Sequence, residues 1–170
     1  LVCTFLFSAD DKAPSQRTRD RDVDIHHIKI DITVDLEKKS VSGNVIHTLS
    51  ALNSSLSEFE LDAEDMEIHR VRLDGKDISY NHHGEKVFLS LNKSIGWDDT
   101  VKVRLDYTAY PRIGTFFIEP DSVYPEKPWQ AWTQGEDTDN HHWVPIYDYP
   151  NDKATFETIL TIDKKFLAIS

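Results

Sequence analysis

Histidines and carboxylates are the side chains in this sequence best suited to acid–base catalysis and metal binding. Their spacing limits which of these functions they can perform. The chain has 8 histidines and 30 acidic residues among its 170 residues. Six histidines form three adjacent pairs, which are His26-His27, His82-His83 and His141-His142. Successive side chains on a strand point to opposite faces, so such a pair rarely holds one metal ion. The pattern therefore predicts no metal site.

Motifs that carry catalysis are absent from the sequence. A zinc peptidase places two imidazoles on one helical face in a His-Glu-x-x-His motif, and no such spacing occurs here. Neither a Gly-x-Ser-x-Gly motif nor a Walker loop is present. The single cysteine, Cys3, cannot form a disulfide within the chain. Chance carboxylate pairs are common among so many acidic residues and do not indicate a glycosidase. We expect no catalytic residue in this chain.

The chemistry that remains is concentrated in residues 108–152, where no regular pattern is visible. This segment holds three of the four tryptophans (Trp129, Trp132 and Trp143) and six of the seven prolines. A long irregular segment inside a compact domain is usually functional, so a binding site is expected here. The tryptophans could line that site, although bulky aromatics more often pack in a core or between domains.

Composition and charge narrow the class of protein. The chain is 39% hydrophobic and 11% aromatic, which is enough apolar material for the core of one domain. A net charge of -11 disfavours nucleic acid as a partner, because binding it requires cations that neutralise phosphates. The same charge is compatible with a cationic ligand such as an α-ammonium group, but solubility is the simpler explanation.

The N-terminal region predicts an exported protein. Residues 1–9 are apolar, too short to span a bilayer, and similar to the end of a secretory signal with a small-residue cleavage site at Ser8-Ala9. Residues 10–22 are polar and charged, as in a linker or arm. We expect residues 1–22 to precede a folded domain at 23–170 in a periplasmic or extracellular protein without a membrane span.

Period-two alternation dominates the rest of the chain and predicts strands. Apolar residues alternate with polar ones over residues 28–36, and a second alternating strand follows the turn Glu37-Lys38-Lys39. Further strands are expected near residues 58–63, 68–73, 77–80, 87–91, 101–107 and 156–162. Asp74-Gly75 and His83-Gly84 are typical hairpin turns. Because no helical period occurs, the fold class is all-β, with antiparallel, twisted sheets or a β-sandwich.

One constellation in the irregular segment resembles a known family. Trp132-Thr133-Gln134-Gly135-Glu136-Asp137 is followed by His142-Trp143-Val144-Pro145 and then by Tyr147-Asp148-Tyr149-Pro150-Asn151-Asp152-Lys153-Ala154-Thr155-Phe156. This order resembles the N-terminal β-domain of the M1 zinc aminopeptidases, which are thermolysin-like gluzincins. Earlier residues agree, since residues 23–50 are similar to the opening hairpin of that family, with Ser42-Gly43 at its usual place.

The resemblance implies a function that the residues alone do not. In that family a saddle of β-sheets packs on the catalytic domain, and a loop with the pattern Gln-x-(Glu or Gln) reaches the active site. Glu136 would accept hydrogen bonds from the α-amine of a peptide, and Gln134 would shape the first side-chain pocket. Without the resemblance, Glu136 is simply a solvated loop acid. Zinc and the catalytic glutamate would belong to the parent protein, whose catalytic domain is the expected partner.

The C-terminal end of the sequence and the residues around Pro150 lead to two further expectations. The sequence stops at Phe166-Leu167-Ala168-Ile169-Ser170, where the family usually continues with more strands. A truncated sheet would leave an open edge, so self-association or some disorder near the C-terminus is expected. Asp148 and Asn151 flank Pro150 and are expected to form turns by bonding to their own backbone.

Two other functions stay open at this stage. Some relatives with this domain order have lost zinc and serve as protein-interaction scaffolds, and a His-Glu-x-x-His motif elsewhere in the parent would discriminate. An unrelated adhesion or carbohydrate-binding β-sandwich is the third alternative, which a glycan array would test.

Overall fold

The structure is a computed structural model that describes residues 18–169, and it confirms the all-β fold class. The apolar segment at residues 1–9 and Cys3 lie outside the described residues. In residues 18–169 the one helical element is a 3₁₀ turn at Asn140–His142, and no helix there has the length and hydropathy that a membrane crossing requires. The strands β1 to β11 span, in order, Val23–Asp35, Ser40–Ala51, Leu56–Asp62, Met66–Leu73, Lys76–Asp77, Ser79–His83, Lys86–Ile95, Val101–Ala109, Thr115–Ile118, Gln130–Thr133 and Thr155–Thr161.

Six strands form the main sheet, in the order β11-β1-β2-β8-β4-β5. The predicted hairpin of β1 and β2 is present, with Ile30 opposite Val45. Gly43 in β2 allows a close approach of the two strands, since its φ is +153° and a Cβ there would lie 2.1 Å from the carbonyl oxygen of Asp31. Because side chains alternate between the two faces of a strand, β1 and β2 direct one apolar face toward the core.

A second sheet of three strands, in the order β3-β7-β6, covers that face. Its apolar residues, such as Leu61 and Leu89, are fully buried in one hydrophobic core with Val45 and Leu105 of the main sheet. The hydroxyl of Tyr80 in β6 donates to the carbonyl of Ile68 in β4 at 2.9 Å and so connects the two sheets. The buried apolar residues of the two sheets thus form one core.

Three details of the sheets differ from the sequence predictions. The strand expected at residues 77–80 is divided, because Ile78 is buried between the short β5 and a separate strand, β6. Residues 108–152 are not wholly irregular, since β9 and β10 form an antiparallel hairpin there. Strand β11 pairs with β1 in parallel rather than antiparallel, because the chain returns to the sheet through the long segment that contains β9 and β10.

Strand β11 is the exposed edge of the main sheet. All seven residues of β11 are exposed, and Phe156 is 74% exposed. Its other edge carries no paired strand among the residues that the structure describes. Unpaired backbone groups and apolar side chains therefore lie together on this side of the domain.

Candidate functional site

The candidate loop, residues 134–140, directly follows strand β10 and is held at its base by a glycine. The backbone N–H of Gln134 donates to the carbonyl of Gly114 at 2.9 Å. Gly114 has a φ of +76°, and a Cβ there would lie 2.0 Å from the carbonyl oxygen of Asp139. Only glycine allows the two ends of the loop to pack this closely on the start of the β9–β10 hairpin.

A second glycine closes the loop on itself. A Cβ on Gly135 would lie 2.2 Å from the side-chain oxygen of Asn140. The N–H of Asp139 donates to the carbonyl of Gly135 at 3.1 Å, and Asn140 Nδ2 approaches the same carbonyl at 3.4 Å. The peptide bond between Glu136 and Asp137 is cis. The loop is therefore a compact turn with its own hydrogen bonds rather than an open connection.

Asp148 ties this turn to the rest of the domain. Its Oδ2 accepts hydrogen bonds from the backbone N and from Nδ1 of His141, both at 3.0 Å, and its Oδ1 accepts from Asn140 at 3.3 Å. Burial by itself raises the pKa of Asp148, but the bonds from His141 outweigh it and hold that pKa below its usual range. The same bond raises the pKa of His141. Asp148 is thus an ionised, buried anchor.

Asp62, at the end of β3, forms hydrogen bonds that hold the backbone of Asp148 in place. Its Oδ2 accepts from the backbone N of Asp148 at 2.9 Å and from Arg19 at 2.5 Å. Its backbone pairs with Ile146, at N···O distances of 2.7 and 3.0 Å. Because Asp62 is only 8% exposed, these bonds replace most of the water that a carboxylate would otherwise bind.

His47 in β2 holds the same segment from the core side. It is fully buried, and its Nε2 donates to the carbonyl of Pro145 at 2.9 Å. Burial lowers the pKa of His47 to about 4, although the bond to Pro145 opposes the change. The imidazole is therefore neutral at physiological pH and acts as a fixed hydrogen-bond donor.

Gln134 and Glu136 are both exposed residues of the turn. Glu136 has no ion-pair partner among residues 18–169, although the domain forms many ion pairs elsewhere. Beside the loop, Trp132 of β10 stacks on Phe116 of β9 with ring centroids 4.5 Å apart, and Trp132 remains 47% exposed. Trp143 instead packs against the hydrophobic core. The surface around the loop thus combines a free carboxylate with an aromatic platform.

The sequence predicted that Asp148 and Asn151 form turns by bonding to their own backbone, and the structure shows different bonds for both side chains. Asn151 donates to the carbonyl of Arg19 at 2.7 Å and accepts from the hydroxyl of Tyr147 at 3.0 Å. Asp148 bonds to the 3₁₀ turn, as described above. These partners lie outside the turn at Pro150, in the 3₁₀ turn, in Tyr147 and in Arg19, which is why turn chemistry alone misassigned the two residues. In the alternation of β3, Asp62 falls on the same face as Glu58 and Glu60, and such a pattern cannot show that another segment covers that face.

Three residues that the sequence did not bring together could hold a metal ion. One ligand atom each of Glu64, His141 and His142 lies within 4.8 Å of the others. The two histidines lie on the 3₁₀ turn with ring centroids 4.4 Å apart, so the strand argument that separates adjacent side chains does not apply to them. A catalytic zinc site of the His-Glu-x-x-His type does not fit this chain, because that motif is absent from its sequence.

Comparison with known protein sequences identifies the family of this chain. The sequence profile of the peptidase M1 N-terminal domain matches residues 24–170. Leukotriene A-4 hydrolase of Xenopus laevis is 21% identical over 92% of this chain, and leucine aminopeptidase 2 of Coccidioides immitis is 23% identical over 77% of it. The chain covers 27% and 22% of the lengths of these relatives, respectively.

Solved structures agree with the fold. An M1 zinc metallopeptidase variant from Deinococcus radiodurans, bound to a Tyr-Ser-Ala substrate, has a TM-score of 0.69 and 25% identity, over 84% of this chain and 33% of that one. Leukotriene A4 hydrolase from Saccharomyces cerevisiae has a TM-score of 0.71 and 18% identity, over 83% of this chain and 23% of that one. Because the family profile matches nearly the whole described domain, this chain belongs to the peptidase M1 N-terminal domain family.

Proposed function

We propose that this domain anchors peptide substrates in a zinc aminopeptidase, with Glu136 binding the free α-amine and Gln134 lining the pocket for the first side chain. The reaction is removal of the N-terminal residue. The zinc, which polarises the scissile carbonyl and activates water, belongs to a catalytic domain of the parent protein.

The observation that carries the proposal is the state of Glu136. It is an exposed carboxylate without an ion-pair partner in the described part of the chain, on a loop whose backbone is held at both ends. A carboxylate that meets an ammonium group forms a charge-assisted hydrogen bond, and the bond strengthens when a second domain excludes water. An unpaired carboxylate is available for this, whereas one already bound to arginine is not.

The rigidity of the loop supports the same function. An exopeptidase must measure the distance from the chain terminus to the scissile bond, and a displacement of about 1 Å can reduce the rate about 100-fold. Gly114 and Asn140 determine the loop geometry, and Asp148 connects it to the core-facing segment. The proposed anchor is thus supported by residues other than the two assigned to substrate binding.

Two of the similar proteins have descriptions that point to peptide substrates. One is named a leucine aminopeptidase, and the metallopeptidase from Deinococcus radiodurans was captured with a tripeptide. Both names describe those proteins, and they favour a peptide N-terminus as the ligand of this domain.

The exposed β11 suits the expected partner, which is the parent's own catalytic domain. Its apolar side chains, with Phe156 at 74% exposed, would be covered by that domain. The same surface also favours the second candidate function, a scaffold that binds other proteins without catalysis. The two differ in the rest of the parent sequence, because only an enzyme needs a His-Glu-x-x-His motif there.

The test compares Glu136→Ala with Asp137→Ala in the full-length parent, on aminoacyl chromogenic substrates. Asp137 is the neighbouring exposed acid and serves as the matched control. We expect Glu136→Ala to lose about 2–5 kcal/mol of transition-state stabilisation in kcat/KM, the range for removing one partner of a buried charged pair. Asp137→Ala should change kcat/KM less than about twofold. Unchanged kinetics in Glu136→Ala, or an equal loss in both variants, would remove Glu136 from the substrate site.

A further inference from the structure

Behind the candidate loop, the connection between β3 and β4 meets the 3₁₀ turn, and the contact consists of ionisable side chains. Glu64 and Asp65 come from the connection, and His141 and His142 from the turn. The N–H of Glu64 donates to the carbonyl of His141 at 3.0 Å, which fixes the two backbones against each other. His142 is buried and Glu64 is half-buried, so the cluster lies at the edge of the domain interior.

Three atoms with lone pairs converge in this cluster. Glu64 Oε2 lies 3.7 Å from Nε2 of His141 and 3.7 Å from Nε2 of His142. These separations are too long for hydrogen bonds. Ligand atoms of a tetrahedral zinc ion with bonds of about 2.0–2.1 Å lie about 3.4 Å apart, so each of these two separations exceeds the ideal by a few tenths of an ångström, and the three ligand atoms all lie within 4.8 Å of one another.

The opposite nitrogen of each imidazole already has a carboxylate acceptor. His141 Nδ1 lies 3.0 Å from Asp148 Oδ2, and His142 Nδ1 lies 2.9 Å from Asp65 Oδ2. An ionised carboxylate can only accept, so each Nδ1 carries the hydrogen and each Nε2 of the neutral ring keeps its lone pair. A carboxylate behind a histidine is the usual arrangement around a metal-binding imidazole, because it fixes the ring and increases its basicity.

The local charge also favours a divalent cation. Glu64, Asp65 and Asp148 contribute three negative charges, and Arg112 contributes one positive charge. Arg112 bonds to Glu64 Oε1 at 2.8 Å and to Asp65 Oδ1 at 2.7 Å, which leaves Glu64 Oε2 free. With neutral histidines, two negative charges remain without a counter-charge in the cluster.

We propose that Glu64, His141 and His142 bind one zinc ion, separate from any catalytic metal of the parent protein. Two imidazole nitrogens and one carboxylate oxygen are a donor set that zinc prefers, and the fourth position would be filled by water. The ion joins the β3–β4 connection to the turn that ends the candidate loop. Its role is to fix these two segments together, independently of whether Glu136 binds substrate.

The test is zinc binding to the untagged 170-residue chain in a Cys3→Ser background, which removes the one thiol. Calorimetric titration with ZnCl₂ should show one site per chain, and thermal denaturation should shift upward as the zinc concentration rises. Cobalt(II) alone should give visible ligand-field absorption that zinc removes. Glu64→Gln and His141→Asn should each weaken zinc binding about 100-fold or more, and Asp65→Asn about 10- to 100-fold.

His83→Asn is the matched control, because His83 is an exposed member of another adjacent pair and should bind zinc like the parent chain. If a ligand variant fails to fold, imidazole ¹⁵N spectra of the unmutated chain decide the question. Zinc should then shift the Nε2 resonances of two histidines only. Absence of one-to-one binding, no selective shift of two imidazoles, or equal affinity in folded Glu64→Gln and His83→Asn would overturn the proposal.

Discussion

Substitution of His47 by glutamine should remove part of the acid sensitivity of this domain. His47 is fully buried and neutral, and its Nε2 donates to the carbonyl of Pro145 at 2.9 Å. The amide of glutamine can donate to the same carbonyl but does not titrate in this range. His47→Gln therefore keeps the contact and removes the proton equilibrium.

The size of the effect comes from the pKa difference of His47 between the unfolded and folded states. That pKa is 6.5 in an ordinary environment and about 4 in the folded chain. Above pH 6.5 the imidazole is neutral in both the folded and the unfolded state, so its titration does not reduce the free energy of unfolding there. As the pH falls toward 4, only the unfolded chain takes up the proton, so the free energy of unfolding decreases. At about pH 4.5 the loss amounts to about 2–3 kcal/mol, at about 1.4 kcal/mol per pH unit.

Urea denaturation of both chains at about pH 7.5 and about pH 4.5 measures this directly. Carboxylates with lowered pKa values, such as Asp106 and Asp148, also reduce stability in acid, but they do so equally in both chains. The unmutated chain should therefore lose about 2–3 kcal/mol more than His47→Gln. Equal losses in the two chains would refute the reasoning that burial holds His47 neutral.

Three further predictions concern the anchor, the loop and the sheet edge. Asp62→Ala should reduce the free energy of unfolding by about 1–3 kcal/mol, because it leaves the buried N–H of Asp148 without an acceptor and removes one of the two carboxylates that pair with Arg19, whereas Asp77→Ala removes only an exposed ion pair and should have little effect; equal urea midpoints would contradict this. Gly135→Ala should lower kcat/KM of the parent about 10-fold or more by displacing the loop, while Gly75→Ala, which strains the turn between β4 and β5 because φ there is +84° but meets nothing within 4 Å of its added Cβ, should not; full activity of the former would argue against a fixed loop. The isolated chain should self-associate through β11 in light scattering, and Ile159→Lys should reduce this, whereas a clean monomer at high concentration would contradict it.

Much of the fold could be predicted because its strands follow simple local rules. Alternating residues in β1 and β2 must place one face toward water and one toward the core, and Asp74-Gly75 forms the predicted turn between β4 and β5. The split at Ile78 was not predictable in this way, since one buried residue there separates strands of different sheets. Local alternation describes faces but not which sheet a strand joins.

The M1 family could also be identified from sequence, because the Trp132–Asp137 stretch and the run to Phe156 depend on residue order rather than on contacts. The family profile confirms that identification. The roles of Gln134 and Glu136 remain predictions, which the kinetic comparison described above would test. The sequence did not reveal what supports them, since neither Gly114 nor Asn140 carries a signal of its own.

The sequence by itself determined the all-β class, the family and the position of the candidate loop, because each depends on neighbouring residues. Only the tertiary structure decided which polar groups are buried and paired. Asp62 lies on the polar face of a strand, yet a segment 84 residues later covers it through Ile146. His141 and His142 have adjacent positions that exclude a shared ligand on a strand, yet a 3₁₀ turn brings their rings together. Such contacts join segments distant in the chain, so no local pattern encodes them.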